Sequence, residues 1–238
     1  MSMTLFGAFD RIVVINLPER SDRRREMLAE LARAGILESD SRLKFFAAIR
    51  PADAGSFPSI GARGCFMSHL GVIEDALRDG VGRLLVLEDD LALAPAACQP
   101  QPGLTARLLD GNWDFAYPGH VEAMHGDATA PRWLATDKQL MCAHFYALSA
   151  AVMPALRDYL HACLLRPAGH PDGGAMHVDG AYSMFRARQP VTTLLATPSL
   201  GAQRSSCSDI CPRCWYDRLP IVKTMVALAR KLKNWKRR

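Results

Sequence analysis

Three consecutive carboxylates follow a run of apolar residues that predicts a buried strand. The stretch is "RLLVLEDDLAL" (residues 83–93), in which Glu88, Asp89 and Asp90 come directly after the apolar run. Like charges this close together are unfavourable unless a positive group lies against them. Carboxylate oxygens are the ligands that hard divalent cations prefer. The stretch therefore predicts a metal site, although carboxylates that follow a strand also serve as helix N-caps.

Arginines follow another apolar run near the start of the chain. "RIVVINL" (residues 11–17) is typical of a central parallel strand. Four arginines come after Asn16, at Arg20, Arg23, Arg24 and Arg25. A bound cation together with guanidinium groups can clamp a diphosphate, so the two stretches favour a nucleotide site. The alternative is that these arginines form the solvated face of a helix.

The elements between these stretches predict an α/β fold. A helix pattern starts at Ser21 or Asp22 and stops at Gly35, and "LKFFAAI" predicts a second strand. "GARGCFMSHLGVIEDALRDG" then carries Phe66, Leu70, Ile73 and Leu77 at helical spacing. Strands that alternate with helices in this way predict a mostly parallel, Rossmann-like central sheet flanked by helices.

The order of elements also predicts where a ligand binds. In wound α/β sheets, ligands lie beyond the carboxyl ends of the strands. Asn16 and the three carboxylates should therefore border one crevice. The P-loop nucleotide-binding class is excluded, because its Gly-x-x-x-x-Gly-Lys-Ser/Thr motif does not occur in the sequence.

Several blocks, in this order, resemble glycosyltransferase family 25. They are "VINLPERSDRR", "GARGCFMSHLGVIEDAL", "LLVLEDD", "WDFAYPG", "HFYALS" and "VDGAY", and they cover roughly residues 11–210. The resemblance implies a GT-A-type fold, a nucleotide-sugar donor such as UDP-galactose and transfer with inversion. It also implies a divalent cation, Mn²⁺, with Mg²⁺ as the alternative. Two features depart from the family pattern: His144 stands where the family usually has Gly, and a cysteine-rich stretch follows residue 204.

The resemblance and the spacing together give a set of predicted site residues. The predicted metal ligands are Asp90, Glu88 and His177. Asp179 is the predicted general base, and capping of a helix is the alternative role for its carboxylate. The predicted donor contacts are Asn16, Arg20, Arg23, Gly64, Ser68, His69, Glu88 and Asp89.

Three cysteines near the end of the chain, Cys207, Cys211 and Cys214, have the C-x₃-C-x₂-C spacing of some iron–sulfur enzymes. The 24 residues after Cys214 leave no room for the barrel that those enzymes build after the motif. A zinc site would need a fourth ligand. Ordinary free thiols are the alternative, in keeping with a cytoplasmic protein.

Positive charge is concentrated at the end of the chain. Of the 29 Lys and Arg residues, seven follow Leu219, where no acidic residue occurs. The rest, with 24 acidic residues, is close to neutral, which argues against a nucleic-acid partner. Residues 218–238 are predicted as a basic amphipathic helix after a single catalytic domain, residues 1–217. Its charge predicts binding to the anionic cytoplasmic face of the inner membrane, and docking on the domain is the alternative.

The sequence thus predicts a metal-dependent, inverting glycosyltransferase. The acceptor would be a saccharide or glycolipid such as lipopolysaccharide or lipooligosaccharide. The competing hypothesis is a non-catalytic nucleotide-sugar or glycan-binding module that keeps the donor crevice and lacks a base.

Overall fold

The computed structural model describes residues 4–122 and 130–204. Two short 3₁₀ turns, Leu5–Ala8 and Pro95–Cys98, join the regular elements. The helices are α1 (Ser21–Arg33), α2 (Ile60–Arg78), α3 (Pro102–Leu109), α4 (Met153–Leu165) and α5 (Val178–Arg188). The strands are β1 (Arg11–Asn16), β2 (Leu43–Ala47), β3 (Arg83–Glu88), β4 (Leu91–Leu93), β5 (Phe115–Tyr117), β6 (Arg132–Ala135), β7 (Phe145–Ser149), β8 (Thr193–Thr197) and β9 (Gly201–Gln203).

Seven of these strands form one central sheet in the order β2-β1-β3-β7-β5-β8-β6. β1 pairs in parallel with both β2 and β3, and β5 pairs in parallel with β8. β7 and β6 run against their neighbours. Five of the seven strands therefore point in one direction, and the carboxyl ends of β1, β2 and β3 lie side by side.

Both faces of the sheet are buried, which explains why β1 and β3 are continuous apolar runs. Successive side chains of a strand point to opposite faces. Val13 and Val86 accordingly pack in the hydrophobic cluster that includes Phe66 of α2 and Leu156 of α4. Val14 and Leu87 pack in the other cluster, which includes Met27 of α1, Leu108 of α3 and Phe6. The sheet is thus a middle layer between two layers of helices.

The predicted α/β class, with a mostly parallel sheet flanked by helices, is confirmed. β1, α1, β2, α2 and β3 follow one another as the sequence patterns predicted. α2 begins one residue before Gly61, where the hydroxyl of Ser59 accepts a hydrogen bond from the amide of Ala62 at 3.0 Å. This capping bond satisfies one of the amides that a helix start leaves free.

A small antiparallel ribbon completes the edge where these strands end. β4 pairs with β9 so that Leu91 lies opposite Gln203. The backbone amide of Arg204 donates to the carbonyl of Asp90 at 2.7 Å. The ribbon thereby brings residues 203 and 204 next to the three carboxylates, although they are more than 110 positions apart in the sequence.

Two predicted features lie outside the described residues. These are the triad Cys207, Cys211 and Cys214, and the basic helix predicted at residues 218–238. Within residues 4–122 and 130–204, no helix has the length and apolar character needed to cross a membrane.

Candidate functional site

A cavity of about 410 Å³ opens beyond the carboxyl ends of β1, β2 and β3. Its walls come from the loops that follow β1 and β2, from the N-terminal half of α2, from the end of β3 and from β9. The lining residues are Ile15, Leu17, Arg23, Ala48, Ile49, Arg50, Pro51, Ile60, Gly61, Gly64, Cys65, Ser68, His69, Glu88, Asp89, Asp90 and Gln203. The cavity thus lies where wound α/β sheets bind ligands.

Asp89, the middle carboxylate, is held by the protein itself. Its Oδ1 accepts from the Arg23 guanidinium at 2.7 Å, and its Oδ2 accepts from the Asn16 side-chain amide at 2.7 Å. Arg204 donates to the Asp89 carbonyl at 2.9 Å. Asp89 is 6% exposed, so this is a buried charge with partners for both oxygens. Arg23 and Asn16, both predicted donor contacts, therefore also fix the turn that carries the carboxylates.

Glu88, the first carboxylate, faces α2 and β9. Its Oε1 lies 3.4 Å from His69 Nε2, and its Oε2 accepts from the Gln203 side-chain amide at 2.9 Å. Burial raises the pKa of Glu88, but its interactions with His69, His144 and Gln203 outweigh burial and hold that pKa below its usual value. Glu88 is therefore ionised at neutral pH.

Asp90, the third carboxylate, lacks a comparable set of partners. Its Oδ2 lies 3.9 Å from Arg23, and its buried Oδ1 has no hydrogen-bond partner among residues 4–122 and 130–204. Burial, followed by the charges of Glu88 and Asp89, raises the pKa of Asp90 to about 7, although Arg23 and Arg204 act against this. A cation would satisfy an oxygen that the described protein groups leave unsatisfied.

The residue types at this point fit a hard divalent cation. Glu88 and Asp90 both line the cavity and offer carboxylate oxygens, the ligands of Mn²⁺ and Mg²⁺. The orphaned Oδ1 of Asp90 is the specific observation behind this fit. Asp89 fits less well, because both of its oxygens already accept hydrogen bonds.

Gly64 and Ser68 shape the α2 wall of the cavity. A Cβ atom on Gly64 would lie 2.5 Å from the carbonyl oxygen of Ile49, a distance that real contacts do not tolerate. The Ser68 hydroxyl accepts from the Ile49 amide at 2.8 Å and donates to the Gly64 carbonyl at 2.7 Å. Both residues line the cavity and also hold the loop after β2 tightly against α2.

His69 is fully buried and belongs to a chain of hydrogen-bonding groups. Its Nδ1 lies 2.8 Å from the Tyr146 hydroxyl, which lies 2.8 Å from the Tyr182 hydroxyl. Burial raises the pKa of both tyrosines well above the usual value, so both keep their protons. The chain fixes the His69 ring so that its Nε2 points to Glu88.

Four of the predicted site residues lie outside the cavity lining. The Arg20 guanidinium binds Asp22 through two hydrogen bonds of 3.0 Å. Asn16 is buried and donates a hydrogen bond from its side-chain amide to Asp89, which itself lines the cavity. His177 is exposed at the N-cap of α5, and Asp179 follows in the first turn.

The predicted base nevertheless lies within electrostatic range of the cavity. Burial, then the charges of Glu88 and Asp179, raise the pKa of the Cys65 thiol far above its usual value. Asp179 is partly buried, and its Oδ1 accepts from the amide of Gly180 at 2.8 Å. Its carboxylate therefore acts on the α2 wall through its charge.

Three polar residues of the site were not predicted. Arg50 lines the cavity three residues after β2, just as Arg23 lies beyond β1, so the rule used for β1 could have found it. Gln203 binds Glu88, and Arg204 binds the Asp89 carbonyl and Glu26. No short-range pattern indicates these two contacts, because they depend on the pairing of β4 with β9.

Comparisons with known proteins agree with the motifs. The fold is that of an α/β protein with a cavity lined by charged residues at the edge of a mostly parallel sheet where such proteins hold ligands. The chain is 28% identical over 144 residues to the human protein named "Inactive glycosyltransferase 25 family member 3", and the match covers 51% of this chain. The resemblance to glycosyltransferase family 25 is thereby confirmed. The match covers 24% of the human protein, so the chain spans about a quarter of that relative's length.

No protein-family model matches the chain. A solved glycosyltransferase involved in the glycosylation of the major capsid of PBCV-1 superposes with a TM-score of 0.46 at 11% identity, covering 83% of this chain and 93% of that one. Mannose-1-phosphate geranyltransferase from Thermus thermophilus superposes with a TM-score of 0.41 at 16% identity, covering 82% and 74%.

Proposed function

We propose that the chain is a metal-dependent, inverting glycosyltransferase. It would transfer a sugar, galactose from UDP-galactose, to a saccharide or glycolipid acceptor such as lipopolysaccharide or lipooligosaccharide. The observation that carries the proposal is the cavity itself, where the unsatisfied carboxylate oxygen of Asp90 and the guanidinium of Arg50 line one space. The resemblance to glycosyltransferase family 25 gives this cavity its proposed ligand.

Asp90 and Glu88 are the residues that would hold Mn²⁺ or Mg²⁺. When bound, the cation would neutralise charge on the diphosphate leaving group. The first turn of α2, at Ile60 and Gly61, also lines the cavity, and the positive end of a helix favours an anion. These features support binding of the donor's diphosphate between α2, Arg50 and the carboxylates.

Nucleoside diphosphate release tests the proposal. The protein would be incubated with a panel of nucleotide sugars and Mn²⁺, with and without saccharide acceptors. Release that requires Mn²⁺ and increases with acceptor supports a transferase. Binding of a nucleotide sugar in a thermal-shift screen, with no release from any donor, supports the non-catalytic module instead. That alternative is favoured by one observation, the position of Asp179 outside the cavity lining.

Arg50→Ala should weaken donor binding by about 1.5–3 kcal/mol, the usual contribution of a charged hydrogen bond to a phosphate. Arg50 now pairs with Glu19 at 2.7 Å, but both side chains are at least half exposed. An exposed pair contributes only about 0–1 kcal/mol, so the guanidinium can turn to a phosphate at little cost.

Calorimetry with the nucleoside diphosphate and Mn²⁺ measures this effect. The matched control is Arg24→Ala, which removes an arginine that pairs with Glu38 away from the cavity lining. Unchanged affinity in the Arg50 variant, or an equal loss in the Arg24 variant, would contradict a direct role for Arg50.

Asp179→Asn should lower turnover by roughly 10²–10⁴-fold with donor affinity unchanged. In the proposed step, the acceptor oxygen bonds to the anomeric carbon, the bond from that carbon to the diphosphate breaks, and Asp179 takes the hydroxyl proton. Asn keeps the oxygen that accepts from the Gly180 amide, so α5 should remain intact. Single-turnover rates measure the effect, and a rate equal to that of the unmodified chain rules out Asp179 as the base.

We further propose that residues 220–238 bind the anionic cytoplasmic face of the inner membrane. The seven basic residues after Leu219 support this, at about 1 kcal/mol for each one near the surface. A chain truncated after Leu219 should stay folded and lose co-sedimentation with anionic vesicles, while neutral vesicles bind neither form. An intact protein that ignores anionic vesicles would contradict the proposal.

A further inference from the structure

We propose that Cys65, His69 and Glu88 form a second metal site, one that takes a soft or borderline divalent cation such as Zn²⁺. One ligand atom from each residue, Cys65 Sγ, a ring nitrogen of His69 and a Glu88 oxygen, lies within 4.8 Å of the other two. Within residues 4–122 and 130–204, these are the only three His, Cys, Asp or Glu residues whose ligand atoms all lie within that distance of one another. This site shares Glu88 with the proposed carboxylate site, and its other two ligands, Cys65 and His69, are different.

The distances fit a tetrahedral site. Zinc binds sulfur at about 2.3 Å and nitrogen or oxygen at about 2.0–2.2 Å, which places neighbouring ligand atoms roughly 3.3–3.7 Å apart. His69 Nε2 lies 3.4 Å from Glu88 Oε1, and Cys65 Sγ lies 3.9 Å from the same oxygen. On binding a metal, Cys65 Sγ would have to move closer to Glu88, from 3.9 Å to within the range of neighbouring ligands.

The ligands are also held on rigid elements. Cys65 and His69 are four residues apart on α2, so they lie on one face of the helix, and Glu88 ends β3. The Tyr146 hydroxyl, 2.8 Å from His69 Nδ1, fixes the ring. When a cation takes the place of the proton between Nε2 and Glu88, Nδ1 can donate to Tyr146 while the lone pair of Nε2 coordinates the metal, the arrangement that supports metal-binding histidines.

The chemistry of this ligand set differs from that of Asp90 and Glu88. Thiolate and imidazole select Zn²⁺ over Mg²⁺ and Mn²⁺, whereas carboxylates alone do not. All three residues line the cavity, so a cation and a fourth ligand, water, can enter. On binding, Cys65 would release its thiol proton to solvent and coordinate as thiolate.

Sharing Glu88 makes the two cations competitors. A cation held by Cys65 and His69 takes a carboxylate that the Mn²⁺ site needs, and the two positive charges would repel each other. Zn²⁺ would therefore displace Mn²⁺ and act as an inhibitor. This consequence rests on the proposed function, whereas the binding of Zn²⁺ does not.

Titration with Co²⁺, a spectroscopic substitute for Zn²⁺, tests the site directly. The full chain should show a thiolate-to-cobalt charge-transfer band together with the intense visible bands of four-coordinate Co²⁺, and Zn²⁺ should abolish both. The charge-transfer band should be lost in Cys65→Ser. The visible bands of four-coordinate Co²⁺ should weaken at least tenfold in His69→Gln and Glu88→Gln. Circular dichroism checks that each variant is folded.

Two controls make the result specific. A variant in which Cys207, Cys211 and Cys214 are all serine should keep the full spectrum, because the proposed ligands are elsewhere. Cys163→Ser, which removes a buried thiol away from the cavity lining, should also keep it. The proposal is overturned if the unmodified chain gives no charge-transfer band or if Cys65→Ser retains it. Since no glycosyl transfer is measured, this outcome is independent of whether the chain is a transferase.

Discussion

Replacing Asp90 by Asn should lower metal-dependent glycosyl transfer by about a hundredfold or more and leave the folded chain at least as stable as before. Of the two proposed metal ligands, Asp90 and Glu88, only Glu88 would remain. Because a bound metal stabilises the transition state by several kcal/mol, activity should fall on the order of a hundredfold or more. The fold should gain instead, because burial and the charges of Glu88 and Asp89 disfavour the ionised form of Asp90.

The stability difference should depend on pH in a defined direction. In the unfolded chain Asp90 loses its proton near pH 4, whereas in the folded chain its pKa is about 7. Between these values the unfolded state binds fewer protons than the folded state, so folded stability falls as pH rises. Asp90→Asn removes this loss, so its advantage should be absent below about pH 4 and greatest above about pH 7.

Urea unfolding at several pH values, together with nucleoside diphosphate release in Mn²⁺, measures both effects. Mn²⁺ should raise the unfolding midpoint of the unmodified chain and leave that of the variant unchanged. An Asp90→Asn variant that transfers sugar at the normal rate would contradict the assignment of the metal ligand. A large loss of stability at neutral pH would show that the ionised Asp90 carboxylate does not destabilise the fold.

Asp89→Asn should have the opposite effect on the fold and cost about 3–5 kcal/mol of unfolding free energy, the usual cost of breaking a buried ion pair. The Asp89 carboxylate accepts from both Arg23 and Asn16, and the two side chains of its ion pair with Arg23 are at most 12% exposed. An amide has one oxygen, so its NH₂ group must face either the guanidinium or the Asn16 amide.

The matched control is Asp22→Asn, which breaks the ion pair with Arg20. The hydrogen bonds from Arg20 lower the pKa of Asp22 to about 2, but the Asp22 side chain is 54% exposed and solvent screens the pair. This variant should therefore lose no more than about 1 kcal/mol. Equal losses in the two variants, measured by urea unfolding at pH 7, would show that burial of the Arg23–Asp89 pair is not what stabilises the turn.

The sequence predicted β1, β2 and β3, the three strands that are neighbours in the sheet and also follow one another in the chain. β1 and β3 are buried on both faces, which gives the continuous apolar runs at residues 12–15 and 84–87. Because β1, β2 and β3 are parallel, their ends had to meet at one edge, and that edge is the cavity. By contrast, β7 enters the sheet between β3 and β5 in the opposite direction, and nothing in its short apolar sequence distinguishes this position.

The sequence predicted which kinds of residue form the site better than it predicted the hydrogen bonds that each of them makes. The three carboxylates required a positive group, and the metal was the expected answer. The structure shows that the three carboxylates differ in their hydrogen-bond partners. Asp89 accepts from Arg23 and Glu88 accepts from Gln203, while Asp90 Oδ1 has no partner among the described residues. These differences depend on the orientation of side chains at a turn and on the pairing of β4 with β9, which local patterns do not contain.

Formation of a glycosylated acceptor tests the central claim most directly, because donor hydrolysis alone can also release nucleoside diphosphate. Mass spectrometry of the acceptor after incubation with donor and Mn²⁺ would detect the added sugar, and NMR would give its anomeric configuration. We expect the acceptor to gain one sugar, with the configuration inverted relative to the donor, in the unmodified chain and not in Asp90→Asn. A donor that binds in the cavity while no acceptor in the panel gains a sugar would contradict the proposed function.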